Sequence, residues 1–538
     1  MASVVELIST MLKHEGVRYI FGIPGGGGTI DLLNATEKDG IRFVLNTHET
    51  AAAMMGCVVG ELTGKPGVVV TAISPGITNV ANGVAYAYLD RAPLLILSDN
   101  YPWSAVQVVL RQTLNHRQVF QGITKWTASL SAEWAHETLQ RAFRTMLEDR
   151  PGPVQLDLPD DVAQKPVADK PLAPVSKQVM ARLYSQEPAG FSRVVGRIRE
   201  AKAPVIIVGM GIRWDRAYSE LKALAERIGA PVFCTPKAKG ALPENHPYSA
   251  GVFIGGKLEL DILGKADLII GVGLDPADML AKPWKYGQPI IAIDRVTNYN
   301  EIYHAEMEVV GNIAEILTML SEALPADHKW DERVAPAYRK KVYEALALPT
   351  KGLAPFRVSD ITRELTADDV ILTTDVGAAK LLLSQIWRPY QPNSVLMSNP
   401  LGTMGFGVPS AIAAKLVFPN RQVVSLCGDG GFAMRMPELQ TAMQLRVAPV
   451  IVVLNDGALS QIKTKQVKKG LAVVGTEFRS PDYVKIAEAF GGRGISVGTE
   501  AEYTVALKEA LTSKVLTLID ARIDPSQYPT QFDAIREL

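Results

Sequence analysis

The chain has 538 residues with 56 Lys and Arg against 56 Asp and Glu, a formal net charge of zero, which argues against a nucleic-acid partner because such chains show a basic excess or a basic face. Its composition, 47% hydrophobic and 21% charged, is that of a globular protein, and no apolar run approaches the roughly 18 residues of a membrane span. Cys57, Cys234 and Cys427 stand far apart with no paired spacing, which argues against a disulfide framework or a zinc site.

The opening MASVVELISTMLKHEGVRYIFG is interrupted by Glu6, Lys13 and Glu15 and lacks the apolar core of a signal peptide, so a cytoplasmic location is expected. IPGGGG (23–28) is glycine-rich, but no Lys-Ser/Thr follows it, which excludes a Walker loop. LNTHETAAAMMG (45–56) reads as a helix start with Glu49 among alanines and methionines. Taken alone, Glu49 is an acid paired to the helix dipole. PGVVVTAISPGITN (66–79) and APLLILSDN (92–100) read as strands separated by a helix. RQTLNHRQ (111–118) carries His116, read as a satisfied surface histidine, and ITKW (123–126) carries Lys125, whose plain reading is a surface amine lying over Trp126. PVQLDLPDDV (153–162) closes this first set, and VADKPLAPVSK (167–177) reads as a linker.

A second set holds APVIIVGMG (203–211), APVFCTP (230–236), ADLIIGVG (266–273) and QPIIAID (288–294). VGMGIRW (208–214) has two glycines and no third, a weak dinucleotide signal. A polar helix and LPTKGLAPF (348–356) lead to the third set: VILTTDVG (370–377), RQVVSLCGDGG (421–431), APVIVVLND (448–456) and VLTLIDARID (515–524). Apolar runs alternating with helical patterns predict an α/β protein of three doubly wound parallel-sheet domains over 1–165, 185–330 and 355–538. Ser74 to Asn100 and Asp429 to Asn455 are both 26 positions apart, so the first and third domains are either alike by chance or related and disposed around one ligand.

Gly428-Asp429-Gly430-Gly431 follows an apolar run and precedes a helix. Glycines there let backbone N–H groups approach an anion, and the helix start favours negative charge. Asp429 would repel a phosphate unless a cation lies between them. A carboxylate, the Asn455 amide oxygen, a backbone carbonyl and phosphate oxygens make an all-oxygen set suited to Mg²⁺. A lone GDG is an ordinary capped turn; paired with Asn455-Asp456 at this separation, it reads as a metal clamp on a diphosphate.

GDG, 24 intervening residues and Asn resembles the signature of thiamine-diphosphate-dependent enzymes, and the resemblance runs the full chain in the order of the acetohydroxyacid synthase, benzaldehyde lyase and pyruvate decarboxylase group. It implies pyrimidine-binding, middle and diphosphate-binding domains, with Asp429, Asn455 and the Gly457 carbonyl as Mg²⁺ ligands. It further implies that Gly377, Gly428, Gly430 and Gly431 meet the cofactor, that Pro75, Asn79 and Ile462 border it, and that Gly402 and Met404 of SNPLGTMGFGVPS (398–410) hold the pyrimidine in its bent conformation. Glu49 becomes the carboxylate that shares a proton with the pyrimidine, where burial should raise its pKa. Gly26 would approach the substrate side, Asn100 stands where the synthases carry Gln, and Lys125 would meet a substrate carboxylate.

The chain departs from the resemblance at Ala378-Ala379, where a Gln-His pair is usual, and at Lys465, where biosynthetic synthases carry Trp. Lys463, Lys465, Lys468 and Lys469 read as a solvated helix face. His116 falls near a region that serves proton transfer in some decarboxylases of the group. GVGLDPADML (271–280) lacks arginines that would meet FAD phosphates, so FAD is doubtful. The implied activity is a carboligase that decarboxylates a pyruvate-like 2-oxo acid and adds the resulting nucleophile to a second carbonyl. The alternatives are a 2-oxo acid decarboxylase, a 2-hydroxy ketone lyase, or a catalytically silent cofactor-binding subunit. The implied assembly is a homodimer or homotetramer with the active site at the subunit interface, working on small molecules without nucleic acid or membrane.

Overall fold

The computed structural model describes residues 1–171, 174–175, 190–279, 282–298 and 300–536. The linker expected over 167–177 and the domain start expected at 185 fall wholly or partly outside the described residues. Among the described residues, eighteen strands form three six-stranded sheets, and every strand pair is parallel. The first sheet contains β1 (Tyr19–Ile23), β2 (Arg42–Leu45), β3 (Gly67–Thr71), β4 (Leu94–Asn100), β5 (Trp126–Ser129) and β6 (Val154–Pro159). The second contains β7 (Pro204–Val208), β8 (Val232–Cys234), β9 (Ser249–Val252), β10 (Leu268–Val272), β11 (Ile290–Asp294) and β12 (Met307–Val310). The third contains β13 (Ile371–Thr374), β14 (Val395–Leu396), β15 (Val423–Gly428), β16 (Val450–Asn455), β17 (Arg493–Val497) and β18 (Thr517–Arg522).

The central strands are near-continuous apolar runs because helices cover both faces of a parallel sheet. Val68, Val69 and Val70 of β3 and Ile451, Val452 and Val453 of β16 are fully buried. Helices between strands start and stop where local chemistry dictates. Ser3 and Glu6 form a reciprocal capping box at the start of Val4–His14, and Gly64 ends Glu49–Thr63 in the left-handed conformation at φ 71°.

The first and third sheets share one strand order, β2-β1-β3-β4-β6-β5 and β14-β13-β15-β16-β18-β17. The equal spacings noted in the sequence join equivalent places: Ser74 and Asp429 open the helices after β3 and β15, while Asn100 and Asn455 end β4 and β16. The second sheet runs β12-β11-β10-β7-β8-β9. Each sheet has a point from which the chain winds outward in opposite directions, and ligands of open α/β sheets bind beyond the carboxyl ends of the strands there. These switch points lie between β1 and β3, between β7 and β10, and between β13 and β15.

The described chain forms two compact units. One holds the first sheet with residues 412–417 and 435–446; the other holds the second and third sheets. No described helix is long and apolar enough to cross a membrane.

Candidate active site

At the switch point of the third sheet, Gly428 ends β15 and Asp429 opens the helix Asp429–Arg435. The Asp429 carboxylate accepts the backbone N–H of Gly430 at 2.8 Å, Gly457 at 2.7 Å and Asp456 at 3.2 Å. Burial and, after it, the neighbouring Asp456 carboxylate push Asp429 up to about 6 despite those bonds. Two acids gathered in a buried turn are chemistry that a cation would relieve. Asn455 Oδ1 accepts the Ser480 hydroxyl at 2.8 Å, and the Gly457 carbonyl accepts the Phe478 N–H at 2.9 Å. Each of these oxygens keeps a second lone pair. Gly457 itself sits at φ +68°, a conformation glycine adopts without strain. The donor set, one carboxylate, one amide oxygen and one carbonyl, therefore fits a hard cation.

A cavity of about 130 Å³ opens over this turn, lined by Gly377, Met404, Gly430, Gly431 and Ile462 among others. A Cβ on Gly430 would come within 2.7 Å of Leu459 and 3.5 Å of the Met404 methyl, so a side chain there would fill the cradle. Gly402 adopts φ +67°. Ala378 and Ala379, also lining the cavity, offer methyl groups and no polar contact. Ile462 lies on the helix Ser460–Lys468. On that helix Lys463 pairs with Glu477 and Lys468 with Asp533, while Lys465 is exposed.

In the first unit, Glu49 is the first residue of Glu49–Thr63 and is 5% exposed. Asn79 Nδ2 donates to Glu49 Oε2 at 3.0 Å, and the Asn79 carbonyl accepts the Thr50 hydroxyl at 2.5 Å. Pro75 stands in the first turn of the neighbouring helix Ser74–Leu89. Open space surrounds a Cβ built at Gly26. Asn100 donates to Asp157 Oδ2 at 3.1 Å and accepts the Tyr101 N–H at 2.8 Å. The Lys125 ammonium donates to the carbonyls of Glu148 at 2.7 Å and Arg150 at 3.0 Å, an engagement with its own fold. His116 is not the surface histidine expected: it is 3% exposed, with Nδ1 2.6 Å from Asp157 Oδ1. Its helix, His116–Phe120, has five residues, and sequence periodicity over so short an element could not show which face is buried.

Residues 2–126 match the thiamine pyrophosphate enzyme N-terminal TPP binding domain, 191–320 the central domain and 375–521 the C-terminal TPP binding domain. A probable acetolactate synthase large subunit of Methanocaldococcus jannaschii is 31% identical, covering 97% of this chain and 92% of that protein. The chain belongs to the thiamine pyrophosphate enzyme family. It is thus a thiamine-diphosphate-dependent enzyme that forms or breaks C–C bonds. The acetolactate synthase of Bacillus subtilis is 28% identical over 97% of this chain and 93% of its own length. A protein of Pseudomonas aeruginosa named probable 2-ketoarginine decarboxylase AruI is 31% identical over 90% and 88%.

Two acids of this thiamine pyrophosphate enzyme escaped the sequence reading. Asp375, directly after β13, is buried and accepts N–H groups from Val376 at 2.8 Å, Gly405 at 2.9 Å and Gly407 at 3.0 Å. A Cβ on Gly431 would overlap its carboxylate. It therefore ties the Gly402–Met404 turn to the glycine cradle. Glu438 is fully buried and accepts Thr47 N at 3.0 Å, the Thr47 hydroxyl at 2.6 Å, His48 N at 3.1 Å and Asn46 Nδ2 at 3.1 Å. It fixes the turn that delivers Glu49. An acid in TTDVG or MPELQ carries no local signal, because most of its partners lie on segments tens to hundreds of positions away.

The central sheet holds its own glycine turns together at its switch point. Gly209 N donates to the Val272 carbonyl and Gly211 N to the Gly273 carbonyl, both bonds below 3 Å. Lys237 Nζ donates to the Met397 carbonyl at 3.0 Å, and Asn399 Nδ2 to Asp278 Oδ1 at 2.8 Å. These central-domain side chains grip the segment that leads to Gly402.

Proposed function

We propose that the enzyme is a Mg²⁺-dependent carboligase that decarboxylates a pyruvate-like 2-oxo acid and joins the remaining acyl carbon to a second carbonyl. The observation that carries the cofactor half of this reading is the buried Asp429 carboxylate, raised by burial and by Asp456, beside Asn455 and Gly457 at a glycine cradle. Bound thiamine diphosphate supplies a carbon nucleophile for the donor carbonyl and a sink for the electron pair left by CO₂. Asp429, Asn455 and the Gly457 carbonyl hold the metal. Gly377, Gly428, Gly430 and Gly431 let backbone approach the diphosphate, with Ile462 packing beside it. Gly402 and Met404 orient the pyrimidine, bordered by Pro75 and Asn79, and Glu49 holds a proton against it. Gly26 leaves room for the substrate.

The relatives named acetolactate synthases support ligation. Simple decarboxylation is the second reading, favoured by the relative named for 2-ketoarginine. The hydrogen bonds of Gly209 N to the Val272 carbonyl and of Gly211 N to the Gly273 carbonyl at the central switch point support leaving FAD out of the reaction. We further propose a homodimer or homotetramer in which Glu49 of one copy serves the cofactor held by Asp429 of another, with a cytoplasmic location. Products formed from labelled pyruvate, followed by NMR with and without thiamine diphosphate and Mg²⁺, test the reading. Acetolactate that requires both additions is expected. Acetaldehyde as the sole product would replace ligation by decarboxylation.

A further inference from the structure

A second cavity, of about 250 Å³, lies in the same unit as the glycine cradle and shares no lining residue with it. Its lining comes from the edge strand β9, the helix Val334–Leu346, the end of the helix Ala378–Ile386, Arg388 and Glu244. Strand β9 carries a bulge here: Val232 pairs with Ser249 but Phe233 with Gly251, so Ala250 is the extra residue. Gly251 sits at φ +85°, and a Cβ built on it would meet nothing within 4 Å. The bulge thus borders open space where an edge strand under a helix would ordinarily be packed.

Three cations border that space, Arg339, Lys340 and Arg388, against one acid, Glu244. The Glu244 charge is met by the buried ammonium of Lys239. Arg388 donates Nη2 to Asp360 at 3.1 Å, and Lys340 lies 3.7 Å from Glu344 on the exposed helix face. The Arg339 guanidinium donates to the carbonyls of Ser249 and His246, which carry no countercharge, and no carboxylate among the described residues pairs with it. Arg388 Nε and Gln385 Nε2 are closed off from solvent and find no acceptor among the described residues. Buried donors without partners are rare and call for an acceptor. Val252, Val342 and Ile386 add apolar surface to the same lining. A concave, partly apolar space with guanidinium groups at its border suits an anionic head on an apolar body.

We propose that this cavity is a second ligand site, which takes a small organic anion between Arg339 and Arg388 and whose occupancy is felt at the cofactor cavity. The head is a carboxylate or a phosphate, and the body lies against Val252, Val342 and Ile386. The helix Ala378–Ile386 carries the coupling. Ala378 and Ala379 at its start line the cofactor cavity, while Gln385 and Ile386 at its end line this one. The two ends are about 10 Å apart at the rise of an α-helix, so a shift imposed at Gln385 reaches Ala378 through one continuous element. Glu244 N donates to the Pro389 carbonyl at 2.9 Å, which ties the segment after that helix to the opposite wall. The site stands apart from the choice between ligation and decarboxylation.

The test titrates the full chain, loaded with thiamine diphosphate and Mg²⁺, by calorimetry with benzoate, phenyl phosphate and neutral benzamide, which share one apolar body. At least one anion should bind at millimolar concentration, and the tighter of the two identifies the head group. Benzamide should bind about tenfold more weakly or worse. Arg339→Gln should weaken the bound anion about 10- to 150-fold, and Lys340→Glu, at the exposed rim, should weaken it by a smaller factor. If Arg339→Gln is insoluble, Lys340→Glu decides. Failure of both anions to bind overturns the site, as does benzamide binding as well as they do, or anion affinity unchanged in the soluble variants. Thiamine diphosphate affinity should differ with and without saturating anion, and the anion's affinity with and without thiamine diphosphate must change by the same factor. Anion binding that leaves both affinities unchanged overturns the coupling through Ala378–Ile386.

Discussion

Replacing Asp375 by Asn keeps the side-chain shape and removes one acceptor. The carboxylate holds Val376, Gly405 and Gly407 through backbone N–H groups. In the amide, one oxygen becomes an NH₂ that faces a donor, so at least one bond to a charged acceptor is lost, worth about 1.5–3 kcal/mol. Burial itself raises the Asp375 pKa against those bonds, and a neutral side chain recovers part of that desolvation, so the stability loss should fall at the low end of the range. The hold on Gly405 and Gly407, just after Met404, weakens regardless. If the full 1.5–3 kcal/mol appears in cofactor binding, thiamine diphosphate affinity falls roughly 10- to 150-fold. Titration of tryptophan fluorescence with thiamine diphosphate at fixed Mg²⁺ measures the affinity, and urea unfolding measures stability. A variant that matches wild type in both would refute the clasp.

Glu49→Gln should lower turnover by about 10²–10⁴-fold while thiamine diphosphate affinity, followed by the same titration, changes little; full activity would remove Glu49 from the proton path. Glu438→Gln turns one oxygen of a five-donor acceptor into a donor, and should cost about 1.5–3 kcal/mol in urea unfolding together with a fall in kcat. Glu259, buried and bonded to Ile254 N, Gly256 N and the Tyr286 hydroxyl, is pushed up to about 7 by burial. Its folded pKa lies above the unfolded value near 4.5, so its contribution is fully present below pH 4.5 and lost as pH rises through 7. Two and a half pKa units correspond to about 3 kcal/mol. Glu259→Gln should flatten the fall of unfolding free energy between those pH values by about that amount, and an unchanged pH slope would contradict it.

The α/β class, the three sheets and the glycine turn at Asp429 were legible because they rest on local patterns: apolar runs, strand-to-helix glycines and a fixed spacing to Asn455. Glu49 is read as a proton-sharing acid only beside that turn, since a helix-start acid alone has a simpler explanation. What could not be read depends on distant partners. Asp375 and Glu438 act on backbone N–H groups of segments about 30 and 390 positions away, and a backbone donor has no letter in the sequence. Lys125 and Asn100 were placed by resemblance near the substrate, yet their polar atoms meet carbonyls and Asp157. His116 was misread as exposed because its helix has only five residues, His116–Phe120, too few to show which face is buried.

The first and third sheets have the same strand order and both carry glycines at the switch point, yet only the third has glycines open to a diphosphate. The difference lies in where the chain puts its own carboxylates. In the first sheet the N–H groups of the Gly25–Thr29 turn are taken by protein acids: Asp99 accepts Gly27 N at 3.2 Å and Thr29 N at 2.7 Å, and Asp160 accepts Gly28 N at 3.1 Å. An anion-binding helix start is thereby filled from within, and a phosphate would have to displace two carboxylates. In the third sheet Asp375, which follows β13, is turned onto Gly405 and Gly407, and Gly428–Gly431 face a cavity with Asp429 at its rim. One topology thus yields a crevice closed to phosphate beside Glu49 and one open to it beside Asp429, a division of labour suited to a cofactor with an uncharged ring at one end and a metal-bound diphosphate at the other.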